Sequence, residues 1–230
     1  MEVGQPDYKQ VSFVDANIRT ILPYPSGVKI LTDDWEHGGQ TWYVQTSGGG
    51  SAAVSAAASY MGSNSCKLIA GNVADYWTTI AKDVGLTRTS RVGFEVVYQM
   101  PATKGNYICF HIGYGIGVIW YQGWLLYDIV VQHWYYWTPV EGFVACPNGA
   151  QDLRVGVGGW HKMKLMVDYA KNEYIIGFSD NIEFDLTGLA LYQDVWAQGE
   201  SLGVGIEVAA TDNSQPAFYI DQLTVTEEKV

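Results

Sequence analysis

The chain has 230 residues, and its 13 lysines and arginines against 24 aspartates and glutamates give a formal net charge of −11. This acidic balance argues against nucleic-acid binding, because phosphate backbones are held by basic patches. Hydrophobic residues make up 48% of the chain and aromatic residues 14%, which supplies a core and excludes a disordered protein. No apolar run approaches about 18 residues, so membrane insertion is not expected. The N-terminal residues show no signal peptide pattern, and the compartment stays open.

The beginning of the chain differs from the rest. Pro6, Pro23 and Pro25 punctuate it, and prolines of this kind are typical of an extended segment at the border of a sheet. We therefore expect an N-terminal arm or edge strand over residues 1–27. Residues 28–230 are expected to form one domain.

Strand patterns dominate the remaining sequence. Residues 92–98 mix β-branched and aromatic side chains, and residues 160–168 alternate between two faces. The polar segment 170–173 predicts a hairpin turn. Three further strands are predicted over residues 174–178, 201–208 and 217–225. Many short strands with regular turns indicate an all-β fold, an antiparallel β-sandwich or jelly roll.

A few segments are ambiguous. The alanine-rich residues 51–59 fit either a helix or a closely packed strand, and residues 78–84 fit one helical turn. The alternating glycines of residues 113–117 predict a notched strand with large side chains stacked over it. Cys66 and Cys146, with the third cysteine Cys109, are far apart in sequence, and buried thiols are favoured over a disulfide.

The densest aromatic cluster lies between residues 119 and 143. In a strand, Trp134 and Tyr136 share one face while Tyr135 and Trp137 share the other. A sandwich strand has one core face, so some rings must be exposed or covered. They stack on sugar rings, form the centre of a subunit contact, or make a second internal core. The predicted contact residues are Trp120, Trp124, Trp134, Tyr135, Tyr136 and Trp137.

No catalytic group can be assigned from the sequence. Glu183 and Asp185 fit a hairpin tip, and Glu95 and Glu207 lie inside strand patterns. Either of the last two is able to face a concave sheet as an acid, but no partner is visible, so solvent exposure is favoured. The four histidines lack metal-ligand spacing.

Four segments in order resemble the concanavalin A-like, carbohydrate-binding-module and laminin G-like β-sandwiches. They are residues 31–36 (LTDDWE), 62–68 (GSNSCKL), 159–168 (GWHKMKLMVD) and 218–225 (FYIDQLTV). The resemblance implies a jelly-roll fold from about Leu31 to Thr226. It does not select a function, because this architecture serves lectins, glycosidases, lyases, adhesins and virion proteins.

The resemblance also implies a structural Ca²⁺ ion between the first and last strands. Its ligands would be a carboxylate of Asp34 or Glu36, the backbone carbonyls of Ser63 and Lys67, and the carboxylate of Asp221. Calcium takes about six to eight oxygen ligands in flexible geometry, which suits such a set. Solvated carboxylates at strand ends are the alternative interpretation.

Three functions fit this fold. We expect first a non-catalytic structural subunit of a larger assembly, such as a virion capsid, tail or decoration protein or an extracellular filament. Its arm would add a strand to a neighbouring subunit, and its partners would be further copies in a homo-oligomer or other assembly neighbours. The alternative is a lectin-like, carbohydrate-binding module that binds glycans through exposed aromatic rings. A glycan-active hydrolase or lyase ranks third, because no acidic pair is recognisable.

Overall fold

The computed structural model describes residues 27–38, 42–100, 107–153, 159–195, 199–210, 213 and 215–227. Within these ranges the chain forms sixteen strands, and no helix long and apolar enough to cross a membrane occurs there. The arm predicted over residues 1–27 lies outside the described residues, apart from Gly27.

One sheet, which we call the back sheet, contains eight antiparallel strands in the order β13-β12-β11-β6-β16-β4-β3, and β1 pairs with β16. Its strands are β1 (Val28–Asp33), β3 (Ser51–Ser55), β4 (Ser65–Ile69), β6 (Arg91–Gln99), β11 (His161–Asp168), β12 (Glu173–Ser179), β13 (Ile182–Phe184) and β16 (Ala217–Glu227). The first and last strands thus lie side by side, as the resemblance implies.

The opposite sheet, the front sheet, also has eight antiparallel strands. Their order is β10-β9-β8-β7-β15-β5-β2, and β14 pairs with β8. The strands are β2 (Tyr43–Thr46), β5 (Trp77–Gly85), β7 (Tyr107–Ile116), β8 (Ile119–Asp128), β9 (His133–Thr138), β10 (Gly142–Ala150), β14 (Tyr192–Val195) and β15 (Ser201–Ala209).

The structure resolves the two ambiguous segments in favour of strands. Residues 51–55 form β3 at the edge of the back sheet, where small side chains lie beside β4. The helical turn predicted over residues 78–84 is wrong, because this segment lies inside β5. Thr78 and Ile80 are both buried and point to the core, and this alternation is the period of a strand.

The core lies between the inner faces of the two sheets. Phe110, Tyr127 and Trp134 of the front sheet are fully buried there, and so are Phe94 and Leu165 of the back sheet. Because successive residues of a strand point to opposite faces, the side chains between these core positions lie on the outer faces. On the front sheet this outer face carries the candidate site.

Candidate functional site

A groove of about 700 Å³ lies on the outer face of the front sheet. Strands β7, β8, β9 and β15 form its floor, and residues of β10 and β14 stand at its side. Aromatic rings and carboxylates line it, and they are drawn from six strands. The lining residues are Tyr107, Cys109, Gln122, Trp124, Leu126, Asp128, Tyr135, Trp137, Phe143, Tyr192, Asp194 and Glu207.

One row of rings runs across four neighbouring strands of this face. The imidazole of His111 stacks on the indole of Trp124, with ring centroids 4.6 Å apart and an interplanar angle of 23°. The ring centroid of Trp137 lies 6.4 Å from that of Trp124. Phe143 contacts Trp137 edge to face, with the ring centroids 4.6 Å apart. Tyr192 also meets Trp137 edge to face, at 5.8 Å. Packing of this kind holds the rings in fixed orientations.

Glycines leave room on this face for the side chains of His111 and Trp120. A Cβ atom added at Gly205 would come within 2.1 Å of Nε2 of His111, and one at Gly113 within 2.2 Å of the indole of Trp120. The prediction of a glycine-notched strand under large side chains is thus confirmed at Gly113, whereas Gly117 lies at the turn after β7 with nothing stacked over it. Trp120 and His111 line a second hollow of about 380 Å³ that adjoins the first at Gln122.

The polar centre of the groove is Glu207 on β15. The hydroxyl of Tyr107 donates to its Oε1 at 2.6 Å, and the hydroxyl of Thr79 donates to its Oε2 at 2.8 Å. Solvent exposure was the favoured expectation for Glu207, and the structure corrects it, because this side chain lies in the groove. Glu95 instead pairs with Lys164 on the back sheet, with Oε1 and Nζ 2.7 Å apart.

The groove has no activated thiol. Burial raises the pKa of the Cys109 thiol well above its usual range, and the nearby charge of Glu207 adds to this rise. Burial also raises the pKa of Cys66 and of Cys146 to about 12. All three cysteines are free and buried, which confirms their interpretation as buried thiols.

The structure divides the six predicted aromatic contact residues. Trp124, Tyr135 and Trp137 line the groove, and Trp120 lines the adjoining hollow. Trp134 and Tyr136 are buried in the core, with 0% and 8% exposure. These two are therefore removed from the set, because a side chain inside the sandwich cannot touch a ligand or a neighbouring subunit on the outer face.

Two of the groove tryptophans are anchored from the opposite sheet. Tyr174 of β12 is fully buried, and its hydroxyl donates to the carbonyl oxygen of Trp137 at 2.9 Å. The same hydroxyl accepts the backbone N–H of Trp124 at 3.0 Å. The pairing between β8 and β9 ends at Leu125 and Tyr136. The hydroxyl of Tyr174 therefore binds the backbone groups of Trp124 and Trp137 that would pair next.

The predicted calcium ligands lie at another end of the molecule. Oε1 of Glu36 accepts the backbone N–H groups of Ser63 and Asn64, at 2.6 and 2.7 Å. Ser63 therefore directs its N–H group, and not a carbonyl, at this carboxylate. Lys67 lies inside β4, paired on one side with Ala53 and on the other with Tyr219. The Glu36 carboxylate thus holds a loop in place.

Asp221 is the one predicted ligand with an unsatisfied atom. It is fully buried, its Oδ2 accepts the N–H groups of Tyr60 and Met61, and its Oδ1 has no hydrogen-bond partner. Burial raises the pKa of Asp221, and the charges of Glu36 and Asp34 add to the rise. However, no group of three or more His, Cys, Asp or Glu side chains that could hold a metal occurs in the described part of the chain. A set completed by backbone carbonyl oxygens is a different arrangement from such a group, and calcium stays a prediction.

The comparisons with known proteins agree with this architecture. The cellulose-induced protein Cip1 superposes with a TM-score of 0.58 at 14% sequence identity, over 87% of this chain and 98% of that one. The fold is a concanavalin A-like jelly roll. An endo-β-1,4-glucuronan lyase from the fungus Trichoderma reesei matches with a TM-score of 0.53 at 13% identity, over 87% and 96% of the two chains.

A third similar structure is the carbohydrate esterase vb_24B_21 from the Shiga toxin-encoding bacteriophage phi24B. It has a TM-score of 0.52 at 12% identity and covers 88% of this chain and 100% of that one. No protein-family model and no curated protein matches the sequence. At these identities the likeness concerns the fold.

The sequence analysis did not predict several residues of the groove and of the adjoining hollow. Phe143 of β10 lies directly opposite Trp137 of β9 in the sheet. Because paired residues point to the same face, a correct pairing of β9 and β10 would have placed both rings on one face. His111 lies beside Trp124 for the same reason. Tyr192 carries no such signal, because its short strand β14 reaches β8 only through the tertiary fold.

Proposed function

We propose that the protein is a carbohydrate-binding module that holds glycans in the groove of the front sheet. The observation that carries this proposal is the fixed row of His111, Trp124, Trp137 and Phe143 on an outer face. Sugar-binding sites combine flat apolar rings with a few placed polar groups that orient hydroxyls. Here Gln122 and Glu207 are those polar groups.

This proposal replaces the structural subunit that we expected first. The three similar structures reported above carry the names of a cellulose-induced protein, a glycan lyase and a carbohydrate esterase. They support the lectin-like alternative better than a building block. Self-assembly, a place in a virion or filament, and the role of the arm remain predictions, which the solution mass by light scattering would test.

Binding is favoured over catalysis by the geometry of the carboxylates. Both oxygens of Glu207 accept hydrogen bonds from neighbouring hydroxyl groups, which holds this carboxylate in place as a fixed acceptor. Oδ1 of Asp128 similarly accepts the backbone N–H groups of Val130 and Val131, each at 2.8 Å. A glycan-active enzyme is the second candidate, because the contact of Tyr107 with Glu207 lies inside the groove.

Isothermal titration with a panel of soluble polysaccharides, with chromatography of the products, tests both candidates. Saturable binding without cleavage supports the proposal. With the ligand that binds best, Trp137→Ala should lower the affinity about five- to tenfold, because a lost ring contact is worth about 1–1.5 kcal/mol. Product release that Glu207→Gln abolishes would instead establish the enzyme.

Trp160→Ala is the matched control. This half-buried tryptophan lies just before β11 of the back sheet, 6.0 Å from the ring of Tyr60 and away from the groove. Its loss should leave the affinity within about twofold of the wild type. Equal losses in both variants, or an affinity that Trp137→Ala does not change, would contradict a site on the front sheet.

A further inference from the structure

The groove and the hollow beside it carry an excess of negative charge. Asp128, Asp194 and Glu207 line the groove, and Asp83 lines the hollow. Among the described lining residues of both, Lys82 is the cation that could offset them. Its ammonium group lies 3.7 Å from the carboxylate of Asp33 and 5.4 Å from the ring centre of Trp42. Its charge is therefore already directed to other partners.

The histidine of the aromatic row does not offset the charge either. Burial lowers the pKa of His111 to about 4, so the imidazole is neutral near pH 7. Among the lining residues that the structure describes, the carboxylates therefore have no free cation facing them. A ligand that brings its own carboxylate or sulfate into this groove meets repulsion from these carboxylates, and the repulsion is strongest beside the part-buried Glu207, since charges interact more strongly there than in bulk water.

The shape of the face adds a second constraint. The groove has the platform of Trp124 and Trp137, the hollow has the platform of Trp120, and Gln122 lines both. Neighbouring strands are about 4.8 Å apart, so the joined surface from β2 to β10 is long enough for several consecutive sugars. As far as the described residues extend, neither end is a closed pocket fitted to a single terminal residue, since both lie on the outer face of one sheet.

We infer that this surface binds the interior of a linear, uncharged polysaccharide and rejects chains that carry carboxylate or sulfate groups. The inference rests on the proposed function and adds to it the class of ligand. Uncharged sugars supply hydroxyl donors for the carboxylates and C–H faces for the rings. An acidic sugar would have to bury its charge beside Asp128, Asp194 and Glu207.

The test uses the neutral polysaccharide that binds best in the titration panel. Its primary alcohols are oxidised in steps to carboxylates, and each product is titrated at low salt. We expect the affinity to fall at least tenfold when about half of the sugars are oxidised. In about 0.5 M NaCl the difference should shrink, because salt screens repulsion between charges. Affinity should also rise along a series of neutral oligosaccharides.

Variants identify the groups responsible. The double variant Asp128→Asn/Asp194→Asn keeps an acceptor oxygen at each position, and it should reduce the ratio of neutral to oxidised affinity at least threefold. Asp185→Asn removes an exposed carboxylate of the back-sheet side, where Asp185 accepts the N–H of Thr187, and should leave that ratio unchanged.

The outcomes separate this inference from the proposed function. Equal affinity for neutral and oxidised chains, or binding of acidic chains alone, overturns the inference while glycan binding stands. A difference that salt and the double variant leave unchanged overturns the electrostatic reason. Affinity that does not rise with chain length overturns binding of interior segments. If no glycan of either kind binds, the proposed function itself fails.

Discussion

Tyr174→Phe isolates the contact that joins the groove to the opposite sheet. The change removes one hydroxyl and leaves the buried N–H of Trp124 and the carbonyl of Trp137 without their partner. An unsatisfied buried group costs about 1–3 kcal/mol, so we expect the free energy of unfolding to fall by about 2–4 kcal/mol. For a domain of this size, the melting temperature should fall by about 4–16 °C.

Equilibrium unfolding in urea, followed by tryptophan fluorescence, measures this loss. Tyr127→Phe is a closely matched control, because Tyr127 is also fully buried and its hydroxyl also has two backbone partners. It donates to the carbonyl of Gln151 at 2.6 Å and accepts the N–H of Leu153 at 3.3 Å. Both variants should lose similar stability.

Glycan binding then distinguishes the two tyrosines. Tyr174→Phe should weaken binding about threefold or more, because Trp124 and Trp137 lose the anchor that sets their position. Tyr127→Phe should bind as the wild type does. A loss of stability below about 0.5 kcal/mol in Tyr174→Phe would refute the argument, since it would mean that the two backbone groups are not dependent on this hydroxyl.

Two further predictions concern pH and calcium. Burial lowers the pKa of His111 from 6.5 to about 4, so the stability that the neutral imidazole contributes is present above pH 6.5 and is lost as the pH falls towards 4. His111→Gln should therefore make the urea midpoint depend less on pH between 6.5 and 4. An unchanged pH dependence of the midpoint would contradict this prediction. Burial raises the pKa of Asp221 above 3.8, so its ionisation lowers stability as the pH rises past that value, and Asp221→Asn should be more stable than wild type at pH 7 in chelator. If calcium binds there, millimolar Ca²⁺ should raise the wild-type midpoint and leave Asp221→Asn unchanged, whereas equal midpoints with and without Ca²⁺ would contradict the calcium prediction.

Local sequence patterns were enough to predict the sandwich and part of the site, namely Trp124, Tyr135 and Trp137 of the groove and Trp120 of the hollow. The alternation of Trp134 to Trp137 correctly separated two rings of one face from two of the other, because the period of a strand is fixed by its geometry. It did not say which face was the core. That choice depends on which face packs against the back sheet, and the contacts of Trp134 with Phe184 and of Tyr136 with Tyr174 join residues 50 and 38 positions apart in the chain.

The partners of Glu207 show the same limit. Thr79 and Tyr107 are 128 and 100 residues away in sequence, and they reach Glu207 because β5, β15 and β7 are neighbours in the sheet. No local pattern contains this information. The calcium prediction relied on short segments that resemble a family, and such segments do not tell which backbone groups of Ser63 and Asn64 point at the Glu36 carboxylate.

Gly113 and Gly205, which lie under the hollow beside the groove, have a consequence for how such a face changes between relatives. A methyl group at Gly113 or Gly205 would displace the indole of Trp120 or the imidazole of His111 while the strands stay paired on the same register. On the proposed function, descendants of this chain that lose sugar binding are then expected to keep their tryptophans for some time and to acquire alanine or serine beneath them. Aligned sequences would reveal the loss first at positions that never contact a ligand.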